Sequence, residues 1–170
     1  MNNLNDFPDL STNTALRELD LYQNKIRLWR HNYTALPKNL EKIILIDNEF
    51  DWIPEKWFDL PNLKYIALSK NKLKRFPGAA FINCRSLEYL SVDYNEITSI
   101  TCPNLQPFYG NNSQLLHLEL HDNDLELIGP KVFYNIPELL HLDLLGNKLE
   151  TIAGQGFSPA FQDLPKLKCL

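Results

Sequence analysis

An eleven-residue string of the form L-x-x-L-x-L-x-x-N-x-L, with other apolar residues at some Leu positions, recurs six times along this 170-residue chain. The copies begin at Leu16, Leu40, Leu63, Leu87, Leu115 and Leu139. Their starts are 24, 23, 24, 28 and 24 residues apart, and Leu167 opens another copy 28 residues after the last. Self-similarity at such a period is typical of a solenoid, in which each repeat is one supersecondary unit.

The alternation inside the string explains how one unit folds. Leu19 and Leu21 alternate along a short segment, so both point to the same side of a strand. One unit cannot bury that apolar side alone, and its stability must come from stacking on its neighbours. We therefore interpret residues 1–170 as a single solenoid segment, with partial units at 1–15 and 167–170, cut from a longer protein.

The Asn of each string lies where the chain leaves the strand. Its amide can donate and accept hydrogen bonds with backbone groups of the turn and of the adjacent unit, which would otherwise be buried without partners. The column is predicted to be structural and not functional. It consists of Asn24, Asn48, Asn71, Asn95, Asn123 and Asn147.

The second half of each unit indicates which class of repeat the chain contains. Ten residues after the Asn comes an apolar residue in five units, namely Phe58, Phe81, Leu105, Phe133 and Phe157, whereas the first unit has Thr34. The chain resembles the leucine-rich repeat family, and within it the 24-residue class of extracellular receptors and matrix proteins, such as Toll-like receptor ectodomains. It resembles less the class of about 28 residues found in ribonuclease inhibitor. The resemblance implies an α/β-type solenoid, a right-handed superhelix with a parallel concave sheet and an irregular or 3-10 helical convex side.

Side chains that alternate with the inward residues are predicted to form ladders on the concave side. Parallel strands lie about 4.8 Å apart, so equivalent positions of adjacent units become lateral neighbours. Apolar and aromatic anchors there are typical of protein-binding hot spots, although scattered apolar surface residues are common without a partner. The candidate partner-binding residues are Tyr22, Lys42, Ile44, Ile46, Tyr65, Tyr89, Tyr94, His117, Glu119, His141 and Asp143.

Three of the four histidines, namely His117, His121 and His141, fall in the fifth and sixth units near acidic residues. The first interpretation is a solvated acidic face, and the alternatives are a pH-responsive contact and a zinc site. We predict no metal, because His117 and His121 are about 13 Å apart along one strand. The string HLELH differs from the helical H-E-x-x-H motif of metalloproteases.

Composition and motifs exclude other function classes. A net charge of −4 and a pI near 5.5 argue against nucleic-acid binding. No apolar run approaches the roughly 20 residues of a membrane span, and no nucleotide, cofactor or nucleophile motif is present, so we predict no enzyme and no cofactor. Cys84 occupies an apolar position and is predicted to lie in the core. The disulfide state of Cys84, Cys102 and Cys169 does not follow from the sequence.

Two sequons predict glycosylation at Asn32 and Asn111, away from the strands. They favour an extracellular or cell-surface location, although the first residues do not form a signal peptide. The predicted function is non-enzymatic recognition of a protein ligand through the concave face of a receptor or adhesion protein, and the resemblance implies roles in innate immunity and signalling. The alternatives are a structural matrix protein and a cytoplasmic scaffold or regulatory subunit. Homo- or heterodimerisation through the repeat surfaces also stays open.

Overall fold

Short parallel strands, one from each repeat, build the main sheet. The computed structural model describes residues 2–27, 36–109, 113–134, 136–150, 161 and 164–170, with the side chains of residues 102 and 103 excepted. The strands in chain order are β1 (Glu18–Asp20), β2 (Lys42–Ile44), β3 (Tyr65–Ala67), β4 (Tyr89–Ser91), β5 (Ser99–Ile100), β6 (His117–Glu119), β7 (Leu127–Ile128) and β8 (His141–Asp143). The main sheet has the order β1-β2-β3-β4-β6-β8, and every pair in it is parallel.

The register of the sheet follows the repeat without a slip. Glu18 is paired with Lys42, Lys42 with Tyr65, and Tyr65 with Tyr89, and the same ladder continues to the sixth unit. The middle residue of each strand is buried: Leu19, Ile43, Ile66, Leu90, Leu118 and Leu142. Burying one apolar column fixes the register, because a shift of one residue would turn the apolar side chains outward. The predicted parallel solenoid is confirmed.

The opposite side of the solenoid carries short helices and a second sheet. A 3-10 helix spans Gly78–Phe81, helix α1 spans Cys102–Leu105, and another 3-10 helix spans Gln106–Phe108. β5 and β7 form a separate two-stranded parallel sheet, which the repeat pattern did not predict. Gly78 is required where it lies, because a Cβ atom on it would come within 1.6 Å of the carbonyl oxygen of Asn104.

Aromatic side chains fill the space between the main sheet and this opposite side. Phe58 and Phe81 are fully buried and stack in parallel, with ring centroids 5.2 Å apart. Leu105 and Phe133, at the equivalent position of later units, are also buried. Thr34 and Phe157 lie outside the described residues. In the four units where the structure describes this position, it buries one large apolar side chain, worth about 1.5–3 kcal/mol each, which gives a physical reason for the apolar residue ten positions after the Asn.

Each Asn of the column joins its own unit to the preceding one. The Asn95 amide nitrogen donates to the Val92 carbonyl at 2.9 Å within its unit and to the Leu68 carbonyl of the preceding unit at 3.1 Å. Its Oδ1 accepts the backbone N–H of Leu73, again in the preceding unit, at 3.0 Å. The other column members make equivalent contacts at 2.9–3.1 Å to the preceding unit.

The residue before each column Asn adopts the left-handed backbone conformation. The φ angles lie between 49° and 68° at Gln23, Asp47, Lys70, Tyr94, Asp122 and Gly146. Only one of these is a glycine, although this conformation costs other residues of order 1 kcal/mol. The turn therefore persists because the surrounding hydrogen bonds hold it, and those bonds include the contacts of the Asn amide.

We predict that Asn95→Leu lowers the free energy of unfolding by about 3 kcal/mol, because it leaves buried N–H and carbonyl groups without partners. Urea denaturation followed by circular dichroism measures this loss. Asn62→Leu is the matched control, since the exposed Asn62 amide also bonds to the preceding unit, at the Lys38 carbonyl, and should cost less than about 1 kcal/mol. Equal losses in the two variants would contradict a structural role for the column.

Candidate partner-binding face

One cation and four aromatic rings form a continuous column across five adjacent strands on the outward side of the main sheet, which we call the sheet face. Tyr65 and Tyr89 stack with centroids 4.4 Å apart and planes 8° apart. The Lys42 ammonium lies 5.7 Å from the Tyr65 ring centroid. At the other end His117 lies 5.9 Å from Tyr89, and His141 lies 5.8 Å from His117. We call these five side chains the ring column.

The rings are held in place by the strand register. Their residues are consecutive pairing partners in β2, β3, β4, β6 and β8, so adjacent rings are separated by little more than the spacing between strands. Each ring is half-buried. Burial raises the pKa of both Tyr65 and Tyr89, so both phenols are neutral at physiological pH. The column thus presents rigid aromatic surface with polar tips.

The other apolar residues predicted for this face are less continuous. Ile44 and Ile46 are half-buried, but the partner of Ile44 in β3 is the buried Ala67. Tyr22 and Tyr94 are each 47% exposed. Tyr94 is held by two contacts outside the ring column, with the Lys70 ammonium 5.6 Å from its ring and the His121 ring edge-on at 5.0 Å.

A buried polar group, which sequence reasoning did not find, lies beside the ring column. Asp93 Oδ1 accepts hydrogen bonds from the Ser69 hydroxyl, at 2.7 Å, and from the Ser91 hydroxyl. Its other oxygen lies 3.4 Å from Nε2 of His121. All three residues of the Ser69–Ser91–Asp93 group are buried. The signal was present in the sequence as adjacent polar ladder positions, but their burial depends on the surrounding side chains.

This order of groups does not activate a nucleophile. In a hydrolase triad the imidazole lies between the hydroxyl and the carboxylate and takes the hydroxyl proton. Here the Asp93 carboxylate lies between the hydroxyls and His121, so His121 is not in place to take a proton from either serine. Burial works against protonation of His121, but the hydrogen bond to Asp122 and the nearby charges of Asp93 and Asp143 outweigh it and raise its pKa.

The last two strands of the main sheet bring His141 of the ring column together with two carboxylates. His141 Nε2 lies 3.5 Å from Glu119 Oε2, and Glu119 is the pairing partner of Asp143. One ligand atom from each of these three half-buried residues lies within 4.8 Å of the other two. Among the described residues, no lysine or arginine forms an ion pair with Glu119 or Asp143, although such pairs occur elsewhere on the surface.

The other residues that the sequence analysis named are the two sequon asparagines and the three cysteines. Asn32 and Asn111 lie outside the described residues, as does the side chain of Cys102. Cys84 is buried, as predicted, and its thiol donates to the Phe58 carbonyl at 2.8 Å. Cys169 is exposed and its thiol is free. Its backbone forms an isolated parallel β-bridge with the backbone of His141. In the described part of the chain, no helix is long and apolar enough to span a membrane.

Comparison with known sequences agrees with this architecture. The sequence model described as "Leucine rich repeat" matches residues 38–97 and 113–170. The chain belongs to the leucine-rich repeat family. Repeats of this family are protein-interaction modules, and a parallel sheet with one strand per repeat is the structure found here.

Several proteins of the family are similar to this chain. Osteomodulin of Rattus norvegicus is 32% identical over 153 residues, which cover 75% of this chain and 35% of osteomodulin. Osteomodulin of Bos taurus is 32% identical over 118 residues, covering 66% of this chain and 26% of that protein. The transforming growth factor beta activator LRRC33 of Danio rerio is 26% identical over 169 residues, covering 80% and 24%. The chain thus spans about a quarter to a third of the length of these relatives.

Solved leucine-rich repeat structures share the fold. The leucine-rich repeat domain of APL1 superposes with a TM-score of 0.75 at 24% identity, covering 88% of this chain and 38% of that one. TLR13, in its complex with ssRNA13, superposes with a TM-score of 0.65 at 22% identity, covering 91% and 24%. At these identities the likeness shows the fold alone.

The two described thiols of this leucine-rich repeat chain should differ in reactivity. Burial raises the pKa of the Cys84 thiol to about 12, so at pH 8 roughly one molecule in ten thousand carries the reactive thiolate. We expect iodoacetamide to alkylate Cys169 and leave Cys84 unmodified in the folded protein, as measured by mass spectrometry of peptides. In urea both should react. Equal alkylation of both thiols in the folded protein would contradict this assignment.

Proposed function

We propose that this chain is a non-enzymatic recognition module of an extracellular leucine-rich repeat protein, and that it binds a protein partner through the sheet face. The observation that carries the proposal is the ring column from Lys42 to His141. Ring stacking of this length is not needed to bury the core, because the core is complete on the other side of the strands.

The side chains of the ring column are rigid, which favours binding. Tyrosine and histidine side chains have few rotatable bonds, and stacking between strand neighbours restricts them further. Less conformational entropy is therefore lost when a partner orders them. Tyrosine is enriched among the residues that contribute most binding energy. The half-buried rings still expose edges to a partner, and the parallel strands beneath them hold their spacing before binding.

The contrast between the two sides of the strand supports the same proposal. At the apolar positions of the eleven-residue string, every unit has Leu, Ile, Val or Phe. The outward ladders vary between charged, aromatic, small and apolar residues from one unit to the next. Such positions are free of the folding requirement, so their side chains are available for recognition.

An extracellular location is supported by the relatives and by the two sequons. Osteomodulin and lumican, of which lumican of Gallus gallus is 32% identical over 108 residues, are extracellular proteins. The sequons at Asn32 and Asn111 would both be used if the chain passes through the secretory pathway. The proposed alternative location is the cytoplasm, where neither sequon carries a glycan.

A structural matrix protein is the second candidate, and the kind of relatives found favours it. Osteomodulin and lumican are relatives of the extracellular-matrix type. Keratocan of Mus musculus is also similar, at 28% identity over 120 residues. In the matrix case the partner is a fibre-forming protein and not a soluble ligand. Both candidates use the sheet face, so the discriminating experiment compares soluble and fibrous partners.

We predict that Tyr65→Ala and Tyr89→Ala each weaken partner binding by about 1 kcal/mol or more, because each removes an anchor from the centre of the ring column. The chain is tested by surface plasmon resonance against an array of purified secreted ectodomains, and by co-sedimentation with matrix fibres. The strongest interaction in either format is then remeasured with the variants.

The matched control is Tyr134→Ala. Tyr134 is 55% exposed and also lies beside a lysine, with the Lys131 ammonium 6.0 Å from its ring, but it is not on the sheet face. It should bind like the unaltered chain. Circular dichroism checks that all three variants remain folded. Full affinity in both sheet-face variants, or an equal loss in the control, would overturn the assignment of the sheet face.

Glycosylation separates the extracellular from the cytoplasmic alternative. When the chain is expressed through a secretory route behind an added signal peptide, we expect N-linked glycan at Asn32 and Asn111, as measured by intact-mass and peptide mass spectrometry. Asn32→Gln and Asn111→Gln should each remove one glycan. If neither residue is modified in the secreted protein, the extracellular assignment loses this support and the cytoplasmic alternative gains it.

A further inference from the structure

We propose that Glu119, His141 and Asp143 form a binding site for a divalent transition metal ion, Zn²⁺ in the first instance, on the sheet face. The site lies at one end of the sheet face and shares His141 with the ring column, but its metal binding can be tested without a protein partner. It differs from the sequence-based expectation of no metal, which considered His117 and His121 along one strand. The three residues found here come from two adjacent strands, β6 and β8, and meet across them.

Backbone structure positions the three groups. Glu119 and Asp143 are direct pairing partners, and His141 is two residues before Asp143 on the same side of β8. One carboxylate oxygen from each acid and one imidazole nitrogen lie within 4.8 Å of one another. Zinc–ligand bonds are about 2.0–2.2 Å long. In a tetrahedral site the ligand atoms of one ion are therefore about 3.4 Å apart, so side-chain rotations must bring these three atoms closer together for them to share an ion.

Two carboxylates lie at directly paired strand positions with no lysine or arginine beside them in the described part of the chain, and this is the second observation that points to a cation. Like charges at directly paired positions of adjacent strands destabilise a sheet. Elsewhere on this chain neighbouring units alternate in sign, as in the contacts of Glu41 with Arg17 at 2.7 Å and with Lys64 at 3.0 Å.

Glu119 and Asp143 have no lysine or arginine partner in the described part of the chain. The basic groups near them there are histidines, namely His141 beside Glu119 and His121, which interacts electrostatically with Asp143. A bound cation would add permanent positive charge to this pair of carboxylates.

The remaining contacts of the three residues leave atoms free for an ion. Asp143 Oδ1 accepts the backbone N–H of Leu145 at 2.9 Å, which holds the carboxylate in place and leaves Oδ2 available. The His117 ring at 5.8 Å restricts the orientation of His141. A metal-coordinating side chain binds the ion more tightly when hydrogen bonds or neighbouring side chains hold it in position.

The ligand set selects the class of ion. One imidazole and two carboxylates suit Zn²⁺, which uses three protein ligands and an open position in many sites. Ca²⁺ takes six to eight oxygen ligands and Mg²⁺ prefers an octahedral shell of oxygens. A nitrogen ligand and a low ligand count both disfavour those ions. The three side chains are half-exposed on the outward side of the sheet, so an ion held there would remain accessible to a further ligand.

The site is tested by isothermal titration calorimetry of the whole chain with Zn²⁺, and separately with Ca²⁺. We expect saturable binding of one Zn²⁺ per chain and no Ca²⁺ binding at the same concentrations. His141→Gln and Asp143→Asn should each weaken Zn²⁺ binding by at least about tenfold. Co²⁺ substitution gives a second readout, since its visible absorption reports the number and geometry of the ligands.

The chain supplies a matched control in its first unit. Asp20 occupies the same ladder position as Asp143, and its Oδ1 accepts the backbone N–H of Tyr22 at 2.9 Å, just as Asp143 accepts that of Leu145. Asp20→Asn therefore repeats the structural change of Asp143→Asn without touching the metal site. It should leave Zn²⁺ affinity unchanged.

Two further variants exclude other sources of binding. Cys169→Ser removes the exposed thiol next to His141, and His121→Gln removes the neighbouring imidazole. Both should retain binding within about threefold, which is close to the precision of such comparisons. The proposal is overturned if the unaltered chain binds no Zn²⁺, if His141→Gln and Asp143→Asn bind it as tightly as the unaltered chain, or if Cys169→Ser or His121→Gln abolishes binding.

Discussion

The whole solenoid depends on one side-chain amide per repeat. Backbone hydrogen bonds join adjacent units along and beyond the three-residue strands, as from Leu45 N–H to the Ala67 carbonyl. The chain must then reverse direction through a left-handed residue, where further backbone groups need partners. The column Asn closes this turn with its amide nitrogen and joins the preceding unit with the same nitrogen and with Oδ1. No other neutral side chain of similar size donates and accepts so many bonds at once, which explains why this position does not vary along the chain.

A fold fixed in this way separates core from surface. The apolar column and the amide column hold the units in register, so the outward positions can take almost any residue without loss of the fold. Because the fold does not require particular residues at these positions, the ring column is informative about function. Tyr65 and Tyr89 stack because the register places them side by side, while nothing in the core depends on their being aromatic. The register also gives the sheet face a regular spacing, so each change of residue type along a ladder changes the surface at a known place.

Periodicity predicted the lateral neighbours in this chain, whereas side-chain packing decided the contacts that sequence reasoning missed. Lateral pairing of His117 with His141 and of Glu119 with Asp143 comes from counting residues. The burial of Asp93 between Ser69 and Ser91 does not, because the pattern marks all three as outward. The diagonal approach of His141 to Glu119 depends on side-chain rotamers. β5 and β7 were missed because two-residue strands carry no detectable alternation.

The two halves of the sheet face differ in how their charges are balanced. At the Lys42 end, the ammonium has both the Tyr65 ring at 5.7 Å and the Glu18 carboxylate at 3.8 Å as partners. At the other end, the basic groups near Glu119 and Asp143 among the described residues are two histidines, His141 and His121, and no lysine or arginine pairs with either carboxylate. A partner that covers the whole face must therefore bring positive charge to that end, or leave two partly desolvated carboxylates unbalanced. A Zn²⁺ ion and a basic side chain of a partner would use the same oxygens, so occupancy by the ion would exclude a basic residue and favour a group that can complete the metal coordination.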